Sequence, residues 1–156
     1  MGVRVQRGAR VSCIALLAVL LAGCGQIKAH ELRVFVLVDG TVSIEGEARL
    51  PSGEALIRVQ NDSRDPARIV LAELSPGVDS PPVDSSGTVD VGSIEDLTYT
   101  TPDYRVLAKI DDLAPHFARG QTKNTIHLYL APGNYALFSN FPGDVEGGRW
   151  VAFEVT

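Results

Sequence analysis

Three histidines, two cysteines, one methionine and 19 carboxylate side chains are the groups with which this chain of 156 residues could bind a metal or move a proton. Their spacing builds little. His30, His116 and His127 fall in three separate stretches, and joining them to Asp144 in a metal site has no support in their spacing. Asp111 and Asp112 are neighbours, and neighbours on a strand point to opposite faces, so they do not read as a catalytic pair. No Gly-x-Ser-x-Gly and no phosphate-binding glycine loop before a helix occurs, and Ser139 has no base partner in sequence. The aspartates between Ser75 and Gly92 match no calcium-loop spacing. These observations predict a protein that is not an enzyme.

Cys24 is different, because its surroundings give it a chemistry. Arg4, Arg7 and Arg10 precede an uncharged apolar run from Val11 to Leu21, too short to span a bilayer comfortably. The run ends in Leu21-Ala22-Gly23-Cys24, which resembles the bacterial lipobox. That resemblance implies a signal peptide over 1–23, cleavage before Cys24 and a thioether-linked lipid on its sulfur. The expected location is the extracytoplasmic face of a cell membrane, on the periplasmic side or the cell surface, with the lipid bilayer as first partner. The remaining cysteine, Cys13, lies in the segment removed, so no internal disulfide is expected.

Cleavage also changes the charge. Loss of the three arginines takes 14 basic residues to 11 against 19 acidic ones, a formal net charge of −8. Such a chain is a poor partner for nucleic acid or an anionic lipid surface. The candidates are a membrane or envelope protein, or a small ligand.

Beyond a tether over 24–30, the elements expected over 31–156 are strands. Leu32 to Val38 is apolar and β-branched, Asp39-Gly40 is a hairpin signal, and Thr41 to Gly46 alternates. Ala55 to Val59, Ile69 to Leu71 and Thr125 to Leu130 read as further strands. Ser75 to Gly92 is rich in Pro, Gly, Asp and Ser and reads as a solvated loop, part of an irregular insertion at about 75–104. Ile94 to Leu113 is two-sided. Thr101-Pro102-Asp103 with Val106, Leu107, Ile110 and Leu113 suits a helix, whereas Val106, Ala108 and Ile110 suit a strand, the reading preferred here. The predicted fold class is all-β, a Greek-key sandwich of seven to eight strands.

The final stretch, Leu130 to Val155, contains Pro132-Gly133-Asn134-Tyr135, then Ser139-Asn140-Phe141-Pro142-Gly143-Asp144, then Gly148-Arg149. It resembles the end of the blue copper proteins, the cupredoxins, where Pro-Gly-x-Tyr precedes Cys-Asn-x-Pro-Gly-His and, five residues on, Met. Upstream, Leu50-Pro51-Ser52-Gly53 and Val59-Gln60-Asn61 are similar in kind and order, with the family's first His falling at Ala67, or at Arg68 with one residue of slip. The resemblance implies that Ala67, Ser139, Asp144 and Arg149 occupy ligand positions, all four substituted. A blue copper site needs a thiolate and two imidazoles, which these residues do not provide. It also implies that Tyr135 and Ser139 point between two sheets, Ser139 bonding to a neighbouring backbone group. Asp144 and Arg149 would close the site as an ion pair. No cofactor is therefore expected, with copper the alternative. The expected function is a membrane-anchored lipoprotein whose cupredoxin-like domain serves as a metal-free binding or assembly module. The alternative is a copper-handling or electron-transfer protein using non-standard ligands.

Overall fold

Alternation fixes the first strand: in β1 (His30–Val36) Leu32, Val34 and Val36 are buried while Glu31 and Arg33 face water. The computed structural model describes residues 29–93, 98–115 and 122–156. Asp39 and Gly40 turn the chain, the Asp39 carboxylate accepting from the Thr41 N–H at 2.9 Å, and β2 (Val42–Glu45) returns antiparallel. β3 (Arg49–Leu50), β4 (Gly53–Asn61), β5 (Ala67–Leu74), β6 (Tyr99–Thr100) and β7 (Tyr104–Leu113) follow. β8 (Lys123–Leu130), β9 (Gly133–Ser139) and β10 (Trp150–Val155) complete the order.

Two sheets result. One has four strands in the order β2-β1-β4-β8, with β1 and β4 parallel. The other has six, β3-β10-β9-β5-β7-β6. The architecture is an all-β sandwich, as the sequence predicts. Ten strands are seen rather than seven or eight, the excess being the two-residue strands β3 and β6.

The main core lies between the sheets. Val34, Ile57, Ile69, Leu71, Leu137 and Tyr135 fill it, and Tyr135 stacks on Phe153 with centroids 5.3 Å apart. A second core lies on the opposite face of the six-stranded sheet, where Val70, Ala72, Val106, Ala136 and Phe138 are covered by Val78, Val83, Val89 and Val91. This corrects the reading of 75–92 as a solvated loop. Its valines, dispersed among Pro, Gly and Ser, pack on the sheet, so β9 is buried on both faces.

The two-sided segment before Leu113 is strand β7, not helix. Its pairing with β5 skips one residue of β7 between Ala108 and Val106, and more chain between Leu113 and Ile110. Each extra residue is a bulge that reverses which side chains face inward. Tyr104 and Val106 therefore join the outer core, while Leu107, Ile110 and Leu113 meet the inner one. The helix-like spacing comes from these two bulges.

Candidate functional site

Ala67, Ser139, Asp144 and Arg149, the four positions to which the resemblance points, come together at one end of the sandwich. Ala67 opens β5, Ser139 closes β9, and Asp144 and Arg149 lie on the turn between β9 and β10. With Val36, Gly40, Ser63, Asp65, Pro66 and Phe141 they line a cavity of about 360 Å³.

Backbone bonds cinch the turn so that its side chains meet. Ser139 N–H donates to Arg149 O at 3.0 Å, Arg149 N–H to Asp144 O at 2.9 Å, and Asp144 N–H to Phe141 O at 3.0 Å. Gly143, at φ +80°, supplies the left-handed residue the turn requires. Inside the turn, Ser139 Oγ donates to Asp144 Oδ2 at 2.5 Å and Arg149 Nη1 donates to Asp144 Oδ1 at 2.8 Å. The Asp144 side chain is 7% exposed and that of Arg149 43%, so a buried anion is held by a cation at the cavity mouth. The expected ion pair is present. The expected backbone partner for Ser139 is not: its hydroxyl donates to the carboxylate of Asp144, which the turn brings alongside it.

Three neighbouring segments hold the site, through contacts the sequence does not announce. Gly40, at φ +83°, lies under Arg149, where a Cβ would come within 2.7 Å of the guanidinium carbon. The buried Asn140 amide accepts from Val89 N–H at 2.9 Å and donates to Val89 O at 3.0 Å, and Gly143 N–H donates to Gly87 O. The long segment before β6 is thus pinned to the turn. On the far side, buried Asn61 donates to the carbonyls of Asp65 and Leu113 and accepts from Ser63, fixing the loop that carries Asp65 and Pro66.

Arg68, the alternative first position, points elsewhere. Its guanidinium lies over Phe141 at 5.2 Å, and its Nε is 3.1 Å from Asp111 Oδ1 but outside hydrogen-bonding geometry, leaving that nitrogen buried and unbonded. His30 begins β1 and His127 sits on β8, 3.7 Å from Glu54; neither lines the cavity. His116 and Cys24 lie outside the described residues. No group of three or more metal-capable side chains occurs among the described residues.

Outside the cavity lining, Asp84 accepts from the Ser86 hydroxyl and the Ser86 and Thr88 N–H groups, which hold its carboxyl below the usual range. Asp90 is lowered likewise, chiefly by the Tyr99 hydroxyl. Burial pushes the Tyr104 phenol up to about 12, while its hydroxyl donates to Asp90 O.

The donor set does not fit a blue copper centre. Ala67 has no donor atom, the Ser139 hydroxyl and both Asp144 oxygens are engaged, and Arg149 is a permanent cation where a soft ligand is required.

No protein-family model and no curated protein matches the chain. Solved structures do. Dithionite-reduced auracyanin from the photosynthetic bacterium Roseiflexus castenholzii is 17% identical, with a TM-score of 0.50 over 82% of this chain and 96% of its own. A histidine-to-methionine variant of rusticyanin is 11% identical, with a TM-score of 0.55 over 81% of this chain and 76% of its own. Rusticyanin is a copper protein. The expectation of no cofactor is therefore corrected: the fold on which it rested is shared with rusticyanin, a copper protein. Two packed sheets, parallel β1 and β4, and these neighbours agree on the architecture, and the chain has a cupredoxin-like fold.

Proposed function

We propose that the chain is an extracytoplasmic lipoprotein, held to the membrane through acylated Cys24, whose cupredoxin-like domain binds or assembles with a protein partner through its cavity end. One observation carries this reading. Side chains from β1, β5, β9 and the turn before β10 converge on a cavity whose buried carboxylate is already satisfied by Ser139 and Arg149. Such an end is preformed, and it presents Leu37 at 41% and Val38 at 65% exposure on the adjoining hairpin. The tether favours the same end. Six residues from Cys24 to His30 reach at most roughly 20 Å, and β1 carries the chain roughly 20 Å further to Val36, so the cavity end lies at the end of β1 farther along the chain from Cys24. Contact should therefore occur on the aqueous side.

Two experiments test this. Cys24→Ala should move the protein from the membrane fraction to the soluble fraction. Photoreactive residues at Val38 and Phe141 should give a discrete adduct in intact cells, and one at Glu47, at the opposite end, should not. Equal labelling from all three positions contradicts the reading.

The fold shared with rusticyanin supports a second reading, copper handling or electron transfer with copper held by side chains outside the cavity. His30, His116 and His127 are the available imidazoles. Copper titration with metal analysis separates the two. Stoichiometric uptake abolished by replacing these histidines favours the second reading, and no uptake by a folded chain leaves the first.

A further inference from the structure

Sheet edges invite pairing with other chains, and folded proteins blunt them by shortness, bulges, proline or inward-pointing charge. Three of the four edges here are short: β2 has four residues, β3 two and β6 two. The fourth is not. β8 has eight residues, contains no proline, pairs with β4 without a register shift, and has no strand on its other side among the described residues. Its inward-facing Ile126 and Leu128 are only partly buried, and Tyr129 on its outer face is 71% exposed.

We propose that β8 is a self-association edge, on which two copies of this chain pair antiparallel about Ile126 to make one continuous eight-stranded sheet. Charge complementarity selects the second copy and this register. The strand has one charge, Lys123, and no acid. Pairing about Ile126 sets Lys123 of one copy opposite Tyr129 of the other and Thr125 opposite His127. Tyr129 is itself registered to Glu54 on β4. Each Lys123 ammonium therefore reaches over an exposed ring toward a carboxylate on the other copy, and two-fold symmetry makes the contact twice. The same register covers the partly exposed edges of Ile126 and Leu128.

Within one chain these charges cannot meet. Lys123 is registered to Gln60, six residues along β4 from Glu54, a separation of roughly 20 Å. A charge swap therefore isolates the contact between copies. Sedimentation equilibrium of the full chain in density-matched detergent should give a monomer–dimer equilibrium. Lys123→Glu alone should weaken it about fivefold or more, from two symmetric cross-strand contacts, and Glu54→Lys alone should weaken it likewise. The double variant, Lys123→Glu with Glu54→Lys, should restore it. Both positions are exposed, so circular dichroism should find each variant folded. A chain monomeric at every concentration overturns the proposal, and so does a dimer that the single changes leave intact or the double change fails to restore.

Discussion

Asp144 has one oxygen on a hydroxyl and the other on a guanidinium, so neither Ser139 nor Arg149 can be lost without leaving part of a buried anion unsolvated. Ser139→Ala removes the neutral donor and should cost about 2 kcal/mol, read as a shift in the urea midpoint at constant slope. Asn140 carries more, because its amide makes two buried bonds to one residue. Asn140→Ala should cost about 2–3 kcal/mol. It should also raise hydrogen exchange at the Val89 amide selectively, and unchanged protection there would show that the segment is held by its valines alone. The Ser-Asn-Phe-Pro-Gly-Asp order marked where the site would lie. That Asn140 spans to Val89, 51 residues away, was not legible, because nothing near Val89 distinguishes it from other loop valines.

Strands with one wet face were readable from their alternation: β1, β2, β4 and β8 lie close to where the pattern puts them. Of β5, buried on both faces, only Ile69 to Leu71 was read, and β7, shifted by bulges, was preferred as a strand without its extent or facing being legible. In β7 two extra residues convert a two-residue period into steps of three, and composition hid the valines of the 75–93 segment behind turn-forming residues. The β1–β2 hairpin offers a direct test of how one element supports another. Gly40→Ala faces an unfavourable φ and a clash with Arg149, whereas Gly46→Ala faces an unfavourable φ in open space. The Gly46 change should cost about 1 kcal/mol. The Gly40 change should cost more by about 1 kcal/mol, and equal losses would mean that the guanidinium moves aside freely.

For the whole molecule, pH dependence follows from the few groups whose affinity for protons changes on folding. Asp39, held by the Thr41 N–H, together with Asp84 and Asp90, has a lowered pKa. A carboxyl lowered in the folded state binds its proton more readily when unfolded. Its contribution is therefore present above about pH 4 and lost as pH falls through the folded value. All three are solvent-accessible, so the acid limb should be shallow. Tyr104 acts in the opposite sense. Its folded value of about 12 lies above the ordinary 10, so its contribution is present below pH 10 and disappears between 10 and 12. Thermal midpoints should form a plateau from about pH 5 to 9 with a fall on each side. In Tyr104→Phe the alkaline fall should diminish, and an unchanged alkaline limb would assign it to another group.

The central structural claim is that Ser139, Asp144 and Arg149 act as one unit closing the cavity, and a double-mutant cycle on Asp144 and Arg149 tests it most directly. Asp144→Ala and Arg149→Ala should each cost about 1–3 kcal/mol, the partial exposure of Arg149 holding the value below that of a fully buried pair. The double variant should cost less than the two losses added together, by about 1 kcal/mol or more. Losses that add within about 0.5 kcal/mol would mean that the two side chains are neighbours without being partners.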